Sequence, residues 1–487
     1  MERKNVYICM LAALLSCSDS VKVSRTLDAM PAIFPDYNGV VIPPNMAPLN
    51  FALDDQDAGS RAVFSFGGQQ FEVKGENGSI VIPPSKWKKL LESAAGDSIQ
   101  VTVQVKQGNE WVAYSPFAIR VAPEKVDSYL AYRLIDPGYE LWNKMGIYQR
   151  DLESYTQIPI IENKMSGNNC VNCHSFCMQD PNKMLFHMRE TFPGTILVDG
   201  DKIEKLNTKT KETISSLVYP SWHPSGKYVA FSVNTTKQAF HLNDRNRVEV
   251  YDEASDVVVY DVEKHEIVTA SNIFSKDAFE TFPTFSPDGK TLYFCTAEAR
   301  PIPQEYSEVK YNLCSVSFDP VTRAFGAQVD TLYNAKSGGM SASFPRVSPD
   351  GRYLLYTLSG YGNFSIWHKE ANLWLLDLTS GDLRELSEVN SDDTESFHNW
   401  SSNSRWFVFS SRRGDGLYTR LYLASMDENG KISKPFLLPQ EDPETYYDRS
   451  VYSYNVPDFV NAPILLDTKV FEKRITSKER IQVQVGD

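Results

Sequence analysis

Three residues of this chain have the types and spacing of a covalent haem site: Cys170, Cys173 and His174. In a Cys-x-x-Cys-His segment the two thiols add to the vinyl groups of a haem, and the adjacent imidazole ligates one face of the iron. We therefore predict one haem c, held by Cys170 and Cys173, with His174 as the proximal axial ligand of the iron.

Three other interpretations of the cysteine pair are a thioredoxin-like redox pair, half of a zinc site, and chance. A thioredoxin-like pair opens a helix after a strand, and no strand-helix alternation surrounds Cys170. A zinc ion needs four ligands, and the Cys and His residues that follow closely downstream are Cys177 and His187.

The sixth position of the iron separates a closed electron-transfer site from an open one that binds a ligand. His187 is our candidate for the distal ligand, because a histidine in an apolar strand needs a partner. Met184 is the alternative, and its position three residues away places it on the opposite face of the strand. In the competing interpretation, His187 bonds to the backbone or to a neighbouring acid.

The N-terminal segment predicts export, which covalent haem attachment requires. A basic start is followed by an apolar run over residues 6–15 and then by Ser16 and Cys17. That run is too short to span a membrane and is typical of a signal peptide. Residues 14–17 resemble a bacterial lipobox, which implies a lipoprotein signal over residues 1–17 and an acylated Cys17. An ordinary signal peptide with an incidental cysteine is the alternative.

The composition indicates a soluble body on that anchor. Hydrophobic residues make up 42% of the chain and aromatic residues 12%, which is enough for a packed core. The 49 basic and 62 acidic residues give a net charge of -13, which argues against binding to nucleic acid or to anionic lipid. We predict membrane contact only through the lipid anchor, no nucleic-acid partner, and a protein partner that is a redox protein or an envelope protein.

A repeated turn organises the second half of the chain. A Pro-Ser-Gly or Pro-Asp-Gly turn and an apolar β-run follow Pro220, Pro283 and Pro345, and a degenerate fourth copy starts at Asn399. In such a turn Pro fixes φ and Gly supplies a positive φ. A second set of apolar runs, at 256–262, 312–319, 372–378 and 420–427, completes four-stranded units that bury their faces by stacking on one another.

These segments resemble the repeats of TolB-type, WD40-like β-propellers, and the resemblance covers residues 219–440. Strand order indicates two further units upstream, one at 129–161 and one at 183–206. We therefore predict an all-β fold with a six-bladed β-propeller over residues 126–470, in which the segment 451–466 closes the ring by pairing with the first blade. The haem motif is predicted in a loop, 162–182, between the first two blades, and residues 471–487 in a C-terminal tail.

Residues 27–125 form a separate region with short alternating strands and Gly-Gly, Asn-Gly and Pro-Pro turns. This pattern predicts a small β-sandwich of immunoglobulin or fibronectin type, with one helix at 85–91. Elsewhere, Cys295 and Cys314 fall on neighbouring strands of one blade, and a disulfide and two buried thiols are both consistent with the sequence.

Two functions from different classes follow. The first is a lipid-anchored, monohaem c-type protein of the bacterial cell envelope, at the periplasmic or outer-membrane surface, which transfers electrons or senses redox state on a propeller platform. The second is a non-redox scaffold, similar to TolB in binding peptide or envelope partners, with a structural cysteine pair. We expect an electron carrier or binding protein rather than an enzyme.

Overall fold

The structure is a computed structural model, which describes residues 22–53, 59–136 and 144–486. Strands make up 48% and helices 9%, and the protein is therefore all-β. The predicted signal segment and Cys17 lie outside the described residues. None of the helices in the described ranges is both long and apolar enough to cross a bilayer.

The N-terminal region contains ten strands and one helix. The strands are β1 (Val23–Thr26), β2 (Ile33–Phe34), β3 (Val41–Ile42), β4 (Phe51–Leu53), β5 (Ser60–Phe66), β6 (Gln69–Lys74), β7 (Ser79–Ile80), β8 (Ser98–Gln107), β9 (Glu110–Ala113) and β10 (Phe117–Val121). One sheet has the order β1-β9-β8-β10-β3, and in the same sheet β5 pairs with β8 and β6 pairs with β5. A second sheet has the order β2-β4-β7. The predicted helix is present as α1 (Pro84–Ala94), and it packs Trp87, Leu90 and Leu91 on the core.

Six sheets with four principal strands follow. Sheet 1 contains β11 (Tyr129–Ile135), β12 (Met145–Asp151) and β13 (Gln157–Glu162). Sheet 2 contains β14 (Val171–Phe176), β15 (Lys183–Met188), β16 (Gly194–Asp199) and β17 (Lys202–Asn207). Sheet 3 contains β18 (Leu217–Trp222), β19 (Tyr228–Phe240), β20 (Val248–Asp261) and β21 (Glu266–Val268). Sheet 4 contains β22 (Ala278–Phe285), β23 (Thr291–Glu298), β24 (Asn312–Asp319) and β25 (Ala324–Tyr333).

Sheets 5 and 6 and the C-terminal elements complete the chain. Sheet 5 contains β26 (Ser341–Val347), β27 (Tyr353–Ser359), β28 (Asn372–Asp377) and β29 (Leu383–Glu385), and sheet 6 contains β30 (Glu395–Trp400), β31 (Trp406–Ser411), β32 (Arg420–Ser425) and β33 (Phe436–Leu437). The remaining elements are the short α2 (Ala335–Gly338), then β34 (Ser453–Val460), α3 (Thr468–Ile475), β35 (Ile481–Gln482) and β36 (Gln484–Val485). Single turns of 3-10 or π helix occur at Asn163–Ser166, Tyr306–Glu308, Ser365–Trp367 and Thr445–Arg449.

The late strand β34 completes sheet 1 by pairing antiparallel with β11, which confirms the predicted pairing of the C-terminal segment with the first unit. We call β34, β14, β18, β22, β26 and β30 the inner strands of sheets 1 to 6. Each inner strand contacts the inner strand of the next sheet, and β30 contacts β34. The repeated turns have the predicted backbone, since Gly226, Gly289 and Gly351 have φ of 68°, 73° and 75°.

Two sequence-based predictions differ from the structure. The segment 162–182 is not a loop, because residues 171–176 form β14, the inner strand of sheet 2. The residues 471–487 are not a free tail, because β35 and β36 pair in parallel with β17 and β21 at the outer edges of sheets 2 and 3. The polar residues of both segments are typical of loops, which is why the sequence did not predict strands there. In the structure, backbone hydrogen bonds to neighbouring strands hold both segments in sheets.

The N-terminal region is anchored on the six-sheet body. One hydrophobic cluster contains Trp87 and Ile99 of the N-terminal region together with Trp406 and Leu421 of sheet 6. Polar contacts continue this interface, since the Asp127 carboxylate accepts hydrogen bonds from the backbone N–H and hydroxyl of Ser402 at 2.7 and 2.6 Å. Burial of apolar surface across this interface fixes the two parts together.

Candidate functional site

The six inner strands contain the same kind of irregularity, which in sheet 6 lies one residue earlier, at Ser396 and Phe397. The pairing of each strand skips two residues, which is the mark of a β-bulge. The matching segments are NCHSF at 172–176, VYPSW at 218–222, TFPTF at 281–285, SFPRV at 343–347, SFHNW at 396–400 and NVPDF at 455–459. Cys173 and His174 thus occupy the bulge that most other inner strands fill with an apolar residue and a proline.

The second residue of each segment faces a common cavity. We call these residues the collar: Cys173, Tyr219, Phe282, Phe344, Phe397 and Val456. Five of the six have a positive φ between 48° and 54°, and Phe397 is the exception. A positive φ is costly for residues with a Cβ, so the same backbone constraint is maintained at five of the six collar positions.

The collar surrounds the shared cavity, which has a volume of about 370 Å³ and is lined by residues of all six sheets. The volume is within the range of small-molecule and cofactor sites. Aromatic residues form much of the wall, including Phe364 and Trp367 next to the collar. The charged residues among the described lining are Arg133, Arg189, Lys237, Arg346, Arg412 and Asp136.

A smaller cavity of about 110 Å³ lies on the other side of the bulges. It is lined by the fourth residue of each segment, a set that we call the polar ring: Ser175, Ser221, Thr284, Arg346, Asn399 and Asp458. Burial raises the pKa of Asp458 to about 7, although Arg346 and a hydrogen bond from Asn399 oppose this rise. His174 borders both cavities.

His174 is almost fully buried, with 2% of its surface exposed. Neither of its ring nitrogens has a hydrogen bond of good geometry to a described residue. Burial first, and then the charge of Arg133, lower its pKa to about 3, although weak hydrogen bonds with the backbone of Ala131 and of Val456 oppose this shift. The imidazole is therefore neutral near pH 7, which is the form that ligates a metal.

The two cysteines of the motif have different surroundings. Cys173 is partly exposed and lines the shared cavity beside His174. Cys170 is buried and is absent from the described cavity lining, and Nδ2 of Asn172 lies 3.7 Å from its sulfur. Burial raises the pKa of the Cys170 thiol. Both thiols are free, so no disulfide occupies the motif.

The two predicted distal candidates lie on β15, and neither belongs to the described lining of the shared cavity. Nδ1 of His187 is 3.1 Å from the hydroxyl of Thr195, and burial lowers the pKa of His187 to about 3. Met184 is fully buried in the hydrophobic cluster between sheets 1 and 2. The structure therefore brings Cys173 and His174 together at the cavity but places His187 and Met184 elsewhere.

The other cysteines do not approach each other in a pairing geometry. Cys295 is opposite Leu313 and Cys314 is opposite Phe294, so the two thiols face opposite sides of sheet 4. Both are free. Over the described residues, no group of three or more His, Cys, Asp or Glu side chains is arranged to hold a metal ion.

Sequence reasoning missed the collar and the two arginines nearest the motif, Arg133 and Arg189. The collar had a detectable signal, because NCHSF matches SFHNW and the Pro-containing segments position by position. Nothing in the local sequence of Arg133 or Arg189 indicates that it lines a cavity, since that placement depends on contacts between separate sheets.

No protein-family model and no curated sequence matches the chain. Among solved structures, it is similar to a DUF4784 family protein from Bacteroides caccae ATCC 43185, with 7% identity, 73% of this chain and 95% of that chain covered, and a TM-score of 0.32. It is also similar to dipeptidyl peptidase 4 of Porphyromonas gingivalis, with 11% identity, coverage of 67% and 53%, and a TM-score of 0.30.

A third similar structure is the native arabinanase of Bacillus subtilis, with 11% identity, coverage of 46% and 78%, and a TM-score of 0.25. The chain spans about half the length of the dipeptidyl peptidase, at 53%. At these identities and TM-scores, the three likenesses carry no argument about the function of this chain.

Proposed function

We propose that the six sheets are the blades of a six-bladed β-propeller. The contacts between successive inner strands support this architecture, as does the return of the chain through β34 to sheet 1. Joining the last strand to the first sheet is the means by which propellers avoid exposed edges. In this architecture the collar encircles the central axis, and the shared cavity lies at the middle of the ring.

We propose that the protein is a lipid-anchored, extracytoplasmic, monohaem c-type protein that transfers electrons or senses redox state. The observation that carries the proposal is the buried, neutral His174, which lies with Cys173 on the wall of the shared cavity. A neutral imidazole beside a partly exposed thiol on a cavity wall is a donor set that can hold a covalently attached haem.

The residues present fit a haem in their donor types and in their surroundings. Cys170 and Cys173 would attach the group, and His174 would ligate its iron on one face. The aromatic lining suits a planar apolar ring system, and Arg133 and Arg189 suit its carboxylate groups. When bound, such a group supplies a one-electron iron couple. Cys170 is the weakest member of the set, because its thiol is buried outside the described lining.

The chain's own residues would set the conditions in that site. His174 stays neutral because burial and Arg133 lower its pKa, so that no proton competes with the metal near pH 7. The aromatic residues of the collar exclude water and lower the local dielectric constant, which tunes a reduction potential. The acidic surface would steer a cationic redox partner in the cell envelope, with the lipid on Cys17 as the membrane attachment.

A second candidate function is a non-redox propeller scaffold that binds peptide or envelope partners, with a structural cysteine pair. The observation that favours it is the match between NCHSF and the five other inner-strand segments, because the repeat alone accounts for the location of Cys173 and His174. The burial of Cys170 away from the described cavity lining also favours it.

Intact mass separates the two functions. The full chain is co-expressed with a cytochrome c maturation system, next to a Cys170→Ala/Cys173→Ala variant and a Cys295→Ala/Cys314→Ala variant as matched control. The proposed function predicts one covalently bound haem in the wild-type chain and in the control, and none in the motif variant. An apo mass for the wild-type chain under conditions that load a known cytochrome c would reject the haem and favour the scaffold.

A further inference from the structure

The lining of the shared cavity opposes the charge of the whole protein. The chain has a net charge of -13, but the described lining contains five basic residues and one acidic residue, Asp136. A concave site with one sign of charge and low-dielectric walls concentrates ligands of the opposite sign. The cavity is therefore built for an anion, in a protein whose surface otherwise repels anions.

Three of the five cationic groups are engaged by the protein itself. Arg412 donates from Nε to the carbonyl of Ile366 at 2.7 Å, and its guanidinium lies 3.5 Å from the centre of the Trp367 ring. Arg346 donates to the carbonyl of Pro345 at 3.0 Å. Lys237 lies 4.0 Å from the carboxylate of Glu253.

Arg133 and Arg189 differ from these three. The Nε atom of Arg133 is buried without a hydrogen-bond partner, and within the described ranges neither guanidinium forms an ion pair with a carboxylate. Both charges act on the same neighbours, because each opposes the rise in the pKa of Cys170 and of Tyr219. Two positive charges repel each other when no anion lies near them. An anionic ligand at this place would remove that repulsion.

Aromatic residues make up much of the lining that contains these cations. Tyr219, Phe282, Phe344, Phe397, Phe364 and Trp367 line the same cavity. Aromatic faces favour a planar, apolar ring, and guanidinium groups favour carboxylates through paired hydrogen bonds. The two features together select a planar aromatic ligand with carboxylate groups.

We propose that Arg133 and Arg189 form a carboxylate-binding pair for a planar aromatic dicarboxylate in the shared cavity. This inference rests on the proposed function, because the two propionate groups of a tetrapyrrole are the carboxylates that the proposed haem would bring. A free aromatic dicarboxylate presents the same chemistry, and the experiment distinguishes the two sources.

The test uses protoporphyrin IX without a metal and its dimethyl ester, because the two differ only in the carboxylates and neither can ligate His174 through iron. Both are titrated into the full chain carrying Cys170→Ala/Cys173→Ala, with porphyrin fluorescence as the readout. We expect the free acid to bind at least about tenfold more tightly than the ester, since about 1.4 kcal/mol corresponds to a factor of ten. Equal affinity for the acid and the ester would overturn the inference.

Arginine variants test whether Arg133 and Arg189 cause the preference for the free acid. Arg133→Gln and Arg189→Gln should each weaken binding of the acid, and the double variant should bind the acid and the ester equally. Arg120→Gln, at an exposed position of β10, is the matched control and should leave the preference unchanged. A preference for the acid that survives in a double variant with an unchanged melting temperature would overturn the assignment of these two residues.

Two comparisons complete the test. The first distinguishes a failure of this inference from a failure of the proposed function, and the second distinguishes a tetrapyrrole from a free aromatic dicarboxylate. A chain that takes up covalent haem but shows no preference for the acid keeps the proposed function and loses the carboxylate pair. A chain that takes up no haem but prefers the acid keeps the pair and loses the proposed function. Terephthalate serves as competitor: displacement of protoporphyrin assigns the pair to free aromatic dicarboxylates, and no displacement assigns it to the tetrapyrrole.

Discussion

The inner strands of sheets 2 and 6 each have a bulge and a histidine at the third position of the matching segment, but the two histidines differ in their bonding. His174 lies in the bulge, whereas His398 follows the bulge and pairs with Phe409. Nδ1 of His398 is 2.8 Å from the carbonyl of Ser396, and its Nε2 is 3.0 Å from the carbonyl of Leu355. His174 has no hydrogen bond of comparable geometry and only weak ones to the backbone of Ala131 and of Val456. The surroundings correspond, because Ala131 lies near His174 on β11 as Leu355 lies near His398 on β27.

This comparison separates what the repeat determines from what it leaves open. The repeat determines where a histidine at this position is buried, and it explains the low pKa values of about 3 for His174 and about 4 for His398. It does not explain why the hydrogen bonds of His174 are weaker than those of His398, or why a thiol at Cys173 replaces the aromatic ring of Phe397 in the collar. A local departure from an otherwise consistent pattern is where function is expected.

The largest expected difference is in stability. Proline occupies the position of these histidines in four other inner strands and lies in the bulge in each of them, as His174 does, so the bulge of sheet 2 accommodates His174→Pro, whereas His398 pairs with Phe409 outside its bulge. His398→Pro removes two buried hydrogen bonds and should lower the free energy of unfolding by about 2–4 kcal/mol. His174→Pro should change it by less than about 1 kcal/mol. Urea unfolding of the haem-free protein measures both, and equal losses would show that His174 is bonded as His398 is.

A second prediction concerns Asp458, which lies between the two bulges. Its carboxylate accepts a hydrogen bond from the side chain of Asn399 in sheet 6, and the backbone of Phe176 in sheet 2 also favours its charged form. Burial nevertheless raises its pKa to about 7, so the folded protein binds a proton that the unfolded chain releases above about pH 4. The contribution of Asp458 to stability should therefore increase as the pH falls from 7 to 5.

The expected size of that increase is about 2 kcal/mol, on the basis of about 1.4 kcal/mol per pH unit for one proton. Asp458→Asn should remove it, and urea unfolding at pH 5 and pH 7 measures the difference. An identical pH dependence in the variant and in the wild-type protein would show that Asp458 does not carry the shift. Asp377→Asn is the matched control, because the pKa of the Asp377 carboxyl is lowered rather than raised.

The smallest expected effect is that of Cys173→Phe, which gives sheet 2 the collar residue of sheet 6. Phe282 and Phe344 already occupy this position with the same positive φ, so the backbone accepts the ring. Filling part of the shared cavity should raise the free energy of unfolding of the haem-free protein by about 0.5–1 kcal/mol. A loss of more than about 2 kcal/mol would mean that the space beside Cys173 is not available to a ring.

The sequence predicted the strands of the repeated units because their turn residues have narrow conformational requirements. Pro and Gly at the turn after Pro283 allow few backbone conformations, and β11, β15, β16 and β34 follow from alternating apolar residues. The inner strand of sheet 2 was missed because Asn, Ser and Cys around position 172 have low strand propensity. Only the correspondence with the other five segments identifies it.

The candidate site was predicted in part. The spacing of Cys170, Cys173 and His174 indicated a ligand site, but spacing along the chain does not show which side chains share a cavity. Cys173 and His174 face the shared cavity, whereas His187 and Met184 are on a strand whose faces pack between sheets. Arg133 lies on β11 opposite Asn455 of β34, and Arg189 follows β15 of sheet 2, so their shared place in the lining depends on contacts between sheets.

The axial ligand of a bound haem tests the central comparison most directly. Full-length chains that are wild type, His174→Pro or His398→Pro are produced with a cytochrome c maturation system, and their absorption and low-temperature EPR spectra are recorded at pH 7. We expect the wild-type and His398→Pro spectra to coincide, and His174→Pro to lose the haem or to show an altered spin state. A His174→Pro chain that carries haem with the wild-type spectrum would contradict the assignment of His174 as the functional histidine.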